Sequence, residues 1–135
     1  MNLIIAYIAT SVVFLGIDSV WLGVVAKDFY REKLGGLMLE NVNLGIAAVF
    51  YLFYTIGIVF FAIKPALEAQ NVFLALGYGA LFGFLAYGTY DFTNMATLKN
   101  WPYLVSFVDI AWGTFITAIS AVIGFWITSY FGKVA

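Results

Sequence analysis

The chain's 135 residues are 64% hydrophobic and 10% charged, against the roughly 45–50% apolar and 25% charged of soluble domains, so water is excluded as its main solvent. A net charge of −1 offers no basic surface on which nucleic acid would concentrate. The absence of cysteine and histidine removes disulfides, thiolate chemistry, imidazole-ligated haem and the usual zinc sites, and no metal or cofactor is expected.

A bilayer core about 30 Å thick needs about 20 apolar residues per helix, and four stretches qualify, at about 3–26, 44–63, 71–95 and 103–131. The expected fold is therefore all-α: one domain over 1–135, a four-helix transmembrane bundle. The first stretch lacks a positive leading region and is too long for the apolar core of a signal peptide, so it reads as a retained helix. The connector from Lys27 to Asn43 is the longest, and its segment from Asp28 to Leu34 is expected to form a short interfacial helix ending at Gly35 and Gly36. The second stretch has no ionisable side chain, and Lys64-Pro65 is expected to close it.

Glycine is frequent in the third stretch, at Gly77, Gly79, Gly83 and Gly88. Gly79-x-x-x-Gly83 allows close helix approach, and Gly113, Thr117 and Ala121 form a similar stripe on the fourth. Packing within the bundle and self-association both remain open. Lys99-Asn100-Trp101-Pro102 ends the third stretch, with a proline suited to the first turn of the fourth.

One side of the membrane holds Lys27, Arg31, Lys33 and Lys99, and the other holds Lys64 and Lys133. Positive loops are retained in the cytoplasm, so both termini are expected on the non-cytoplasmic face.

Three carboxylates interrupt the apolar stretches: Asp18, Asp91 and Asp109. Each costs about 2.5–3.5 kcal/mol at a helix centre, so each is expected to face the bundle interior or water. Asp18 lies nine residues before Lys27, Asp91 eight before Lys99 and Asp109 eight after Trp101. At about 1.5 Å per residue, all three sit roughly 12 Å inside the same boundary. Asn43 begins the second stretch on that side and Asn94 lies one turn beyond Asp91. Asp18 and Asp109 share the pattern Asp-x-x-Trp, with Trp21 and Trp112 on the same helix face as their acids. Aligning 18–27 with 91–99, and then Asn43 with Asp109, also suggests an ancient duplication of a helix pair.

Trp21, Tyr87, Thr89, Tyr90, Thr93, Asn94 and Trp112 are expected around the acids, with Tyr51 and Tyr54 on a deeper wall. Trp101, Tyr103, Trp126 and Tyr130 fit interfacial belts. The cluster reads either as a hydrogen-bonded staple between helices or as a site. Against a pure staple, no base lies at the depth of the acids, and only Lys27, Arg31, Lys33 or Lys99 could reach them by snorkelling. Nearby like charges cannot all ionise cheaply in a poorly solvated place, so such a cluster attracts protons or a cation. The candidate ligand- or proton-binding residues are Asp18, Trp21, Asn43, Tyr87, Tyr90, Asp91, Asn94, Asp109 and Trp112.

The run Tyr87-Gly-Thr-Tyr90-Asp91-Phe-Thr-Asn94-Met-Ala-Thr97-Leu-Lys99-Asn-Trp101-Pro102, followed by Val108-Asp109-Ile-Ala-Trp112-Gly113, resembles the signature of a bacterial membrane family catalogued as domain of unknown function 2177. The resemblance covers the whole chain and implies a small multi-pass protein of the bacterial inner membrane. It implies no substrate and no mechanism.

Three functions follow from the residues. In the first, carboxylates and aromatic faces form a cavity in the cytoplasmic half that binds or transports protons together with a small cationic or amphipathic ligand, in a protein expected to pair as a homodimer. In the second, an aspartate serves as general acid or base in an enzyme acting on a lipid or isoprenoid, or several carboxylates hold Mg²⁺. In the third, the chain is an accessory subunit of a larger membrane complex. Membrane lipids are partners in all three, and nucleic acid in none.

Overall fold

The computed structural model describes residues 2–39 and 43–134. Among them are five longer helices, a 3₁₀ turn at Gly35–Leu37 and no strand; the helices are α1 (Leu3–Val25), α2 (Lys27–Leu34), α3 (Leu44–Ala69), α4 (Val72–Thr97) and α5 (Tyr103–Val134). All but α2 are long and apolar enough to cross a membrane. Large apolar side chains such as Val24, Phe53 and Phe73 are exposed on their outer faces, as lipid contact requires. Residues 40–42 of the connector lie outside the described residues.

The helix starts follow local chemistry. Asn2 accepts from the backbone N–H of Ile4 and Ile5, Asn43 from that of Ile46 and Asn71 from that of Phe73, at 2.9–3.2 Å. Each asparagine thereby satisfies orphan donors that lipid would leave unpaired. Pro102 immediately precedes α5, where its missing N–H costs no helical bond.

Lys64-Pro65 does not close the second span as the sequence suggests. The chain forms a π turn over Val59–Ile63, with the Lys64 N–H bonded to the Val59 carbonyl, and α3 then runs through Pro65 to Ala69. Pro65 then stands in the first turn after the π turn, where its missing N–H costs little, so the proline is absorbed inside the helix. Gln70, in the left-handed region at φ 51°, ends it instead. A second π turn, Trp21–Val25, closes α1, where the Ala26 N–H reaches the Trp21 carbonyl at 2.7 Å.

The glycine stripes pack against each other within the chain. A Cβ on Gly79 would lie 3.0 Å from the Ala118 Cα and 3.0 Å from the Ala121 Cβ, and one on Gly83 would lie 2.8 Å from the Thr117 Cβ and strike the Gly113 carbonyl. The α4–α5 contact is thus backbone against backbone, the small-residue packing that lipid solvent favours. On the other side Phe14 of α1 sits between Tyr51 and Tyr54 of α3, with ring centroids 5.4 Å away in each case. The Ser11 and Thr55 hydroxyls are hydrogen-bonded at 2.9 Å in the same interface.

Burial along α3 is uneven. Side chains from Leu44 to Phe53 are exposed or half-buried, and fully buried positions begin only at Tyr54. This helix therefore packs firmly through its Ala69 half and leaves the bundle at its Leu44 half.

Candidate functional site

Where α3 diverges, a cavity of about 700 Å³ opens, within the roughly 300–1,000 Å³ range of small-molecule sites. Helical periodicity explains its lining. On α2, Lys27, Tyr30, Arg31 and Leu34 line it, and on α3, Leu44, Ala47, Ala48 and Tyr51; both sets follow the i, i+3, i+4, i+7 spacing of one helix face. Asp18 enters from α1, Tyr90 from α4, and Val105 and Asp109 from α5.

The two cavity acids are held by neutral donors. Trp112 Nε1 donates to Asp18 Oδ1 at 3.1 Å, and the Tyr30 hydroxyl donates to Asp109 Oδ1 at 3.1 Å. Trp21 and Trp112 stack with ring centroids 4.2 Å apart and planes 9° from parallel. Trp21 Nε1 also points to the Tyr30 hydroxyl at 3.4 Å, a long and therefore weak bond. The two Asp-x-x-Trp motifs are thus crossed: each tryptophan serves the other helix's acid, Trp112 directly and Trp21 through Tyr30. Burial, reinforced by the Asp109 carboxylate, pushes the Tyr30 hydroxyl well above its ordinary pKa, so it remains a donor at neutral pH.

Asp91 lies behind Asp109, away from the cavity surface. It is fully buried, and neither carboxylate oxygen has a hydrogen-bond partner among the described residues. Ser106 and Asp109 are its polar neighbours, but the Ser106 hydroxyl donates to the Asp91 backbone carbonyl at 3.2 Å and accepts from Trp101 Nε1 at 2.8 Å. Among the described residues no three Asp or Glu side chains converge as a metal site.

A family model described as "Predicted membrane protein (DUF2177)" matches residues 3–126. The chain belongs to this family. No curated protein and no solved structure matches it. The matched span contains Asp18, Asp91 and Asp109 of this DUF2177 chain.

The candidate residues divide by position in the DUF2177 bundle. Asp18, Tyr90 and Asp109 line the cavity, Trp21 and Trp112 form the stacked pair that braces it, and Asp91 stands behind. Tyr87 is deeper, its ring against Gly113 and edge-on to Tyr54 at 6.1 Å. Asn94 is partly buried one turn beyond Tyr90 and lies off the cavity wall. Asn43 does not join the cluster, because its side chain is exposed and occupied in capping α3. Thr89 is exposed and its hydroxyl bonds back to the Leu85 carbonyl at 2.6 Å.

Other positions differ from their sequence reading. Trp101 is no belt residue: it is 9% exposed, bonded to Ser106 and part of the cavity wall. The expected excess of acid is met at the rim, where Lys27 and Arg31 line the same cavity as Asp18 and Asp109. Tyr30 escaped the sequence reading altogether. Its signal was the spacing of Lys27, Tyr30, Arg31 and Leu34, which marks one face of the interfacial helix.

Proposed function

We propose that the cavity binds the cationic group of a small amphipathic molecule in exchange with protons, and that binding or transport of this molecule across the bacterial inner membrane is the protein's role. One observation carries the reading: Asp18 and Asp109 face a cavity of about 700 Å³, while Asp91 behind them is fully buried with neither oxygen bonded among the described residues. A helix staple needs its polar atoms paired, because an unpaired buried carboxyl forfeits its desolvation cost. A proton shared between Asp91 and Asp109, or a cation held beside them, supplies the missing partner.

The groups facing this place are the carboxylates of Asp18, Asp91 and Asp109, the hydroxyls of Tyr30, Tyr51 and Tyr90, and the rim cations Lys27 and Arg31. In this reading the cavity opens toward the cytoplasm, since Lys27, Arg31, Lys33 and Lys99 cluster at its end of the bundle.

The test is calorimetric binding of a dodecylammonium probe to protein in nanodiscs at neutral and acid pH. Binding is expected to weaken on acidification and to fall by about tenfold or more in Asp109→Asn, with Asp28→Asn, on exposed α2, unaffected. Unchanged binding in the triple Asp18→Asn, Asp91→Asn, Asp109→Asn variant would exclude the reading.

A further inference from the structure

The interfacial helix reaches into the site with one of its own side chains. Tyr30 of α2 lines the cavity, donates its hydroxyl to Asp109 Oδ1 at 3.1 Å and stands edge-on to Trp21, with ring centroids 6.5 Å apart. A donor from α2 thus occupies an acceptor that a cationic ligand would need.

The helix that delivers this hydroxyl is not anchored by burial. Among the described residues, none in α2 is buried, and Asp28, Glu32 and Lys33 are exposed. Elements with few buried contacts open at the low end of a protein's range of free energies. Both ends of α2 also break the helical path. The π turn Trp21–Val25 gives way to Ala26, which is 2% exposed and sits at φ −109°, ψ 4°, so α2 starts from a fixed point but in a new direction. At the other end Gly35 adopts φ 50°, ψ −121°, a conformation that glycine reaches without the cost a side chain would add. Changes of a few dihedrals at such element ends are what a hinge requires.

The walls beneath do not depend on α2. The Trp21–Trp112 stack and the bond from Trp112 Nε1 to Asp18 join α1 to α5 directly, so the acids keep their places if α2 lifts. Trp21 Nε1 holds the Tyr30 hydroxyl only at 3.4 Å, a weak restraint.

Resting on the cation-binding reading above, we propose that α2 is a lid on the cavity, latched by the Tyr30–Asp109 hydrogen bond and released when the ligand's cationic group takes Tyr30's place on Asp109. An ammonium brings full charge as well as N–H donors to the carboxylate, and a phenol brings a hydrogen bond alone. The exchange therefore favours the ligand. A closed lid also lowers apparent affinity, which scales with the fraction of chains that are open.

The experiment measures dodecylammonium binding to the full chain in nanodiscs, unaltered and as Tyr30→Phe, beside a spin-label distance between α2 and α5. The chain has no cysteine, so Glu32→Cys and Tyr103→Cys, both at exposed positions, carry the two labels. With the probe bound, that distance should lengthen in the chain that keeps Tyr30. Tyr30→Phe keeps the ring and loses the latch, so it should bind the probe about three- to tenfold more tightly and show the longer distance without it. Binding that is unchanged or weaker in Tyr30→Phe would overturn the latch. A distance that stays fixed while the probe binds the chain that keeps Tyr30 would overturn the lid, whatever the variant does, and leave the cation-binding reading standing. If the probe binds neither chain, both fall.

Discussion

Trp112 donates its indole N–H to Asp18, 94 positions away in the chain, and not to Asp109, three residues before it on the same helix. The exchange ties α1 to α5 at the depth of the acids, and the Trp21–Trp112 stack closes the crossing. A hydrogen bond to a charged acceptor contributes about 1.5–3 kcal/mol. Trp112→Phe keeps a stacking ring and loses the donor, so it should lower unfolding stability in micelles by about 1–2 kcal/mol. Asp18→Asn made on top of it should cost less than Asp18→Asn alone. A double-mutant cycle with no coupling between the two positions would show that the bond holds nothing.

The close α4–α5 contact separates the glycines of α4 by consequence. At Gly83 an added methyl meets Thr117 and the Gly113 carbonyl, whereas at Gly77 it meets nothing within 4 Å. Gly83→Ala should therefore destabilise the fold by about 1–3 kcal/mol through overpacking. Gly77→Ala should be neutral or stabilise by about 0.5–1 kcal/mol through helix propensity. Unfolding midpoints in detergent check both. If Gly83→Ala instead left the midpoint alone and changed only the oligomeric state, the stripe would serve self-association.

How much of this was legible in the sequence depended on which force left a mark there. Lipid solvent writes itself as long apolar runs, so the four spans were readable, and the equal loop distances of Asp18, Asp91 and Asp109 gave their common depth. The small-residue stripes also appeared as spacing, though their mutual pairing did not. Pro65 misled because a proline normally ends a helix, and a π turn leaves no residue signature. That acids and aromatics would line a cavity was legible, but its walls on α2 and α3 were not: they come from the divergence of α3 at Leu44, a property of packing between helices. Trp101 is an aromatic that fits an interfacial belt by type, and only its tertiary position turns it toward the acids.

Orientation can be checked without purification. Glu32, Asn100 and Glu68 are all exposed, so cysteines placed there report accessibility and not burial. With connectors one and three cytoplasmic, cysteines at 32 and 100 should resist an impermeant thiol reagent in intact cells, and one at 68 should react. The opposite labelling pattern would invert the bundle and turn the cavity mouth to the outer face.

Asp91 discriminates most sharply between a structural and a functional cluster. It is fully buried beside Asp109, with neither oxygen hydrogen-bonded among the described residues. Were it a staple, replacing it would cost the about 1–3 kcal/mol of a broken buried bond. Asparagine has nearly the same shape and brings an amide donor that can face the Asp109 carboxylate. Asp91→Asn should accordingly leave the unfolding midpoint unchanged or raise stability by about 1 kcal/mol, and should weaken dodecylammonium binding by about tenfold. Such a split, stability kept and binding lost, is the behaviour of a group retained for what it binds. A variant that loses stability and binding together, in proportion, would mark Asp91 as part of the scaffold, leaving Asp18 and Asp109 alone to carry the cation site.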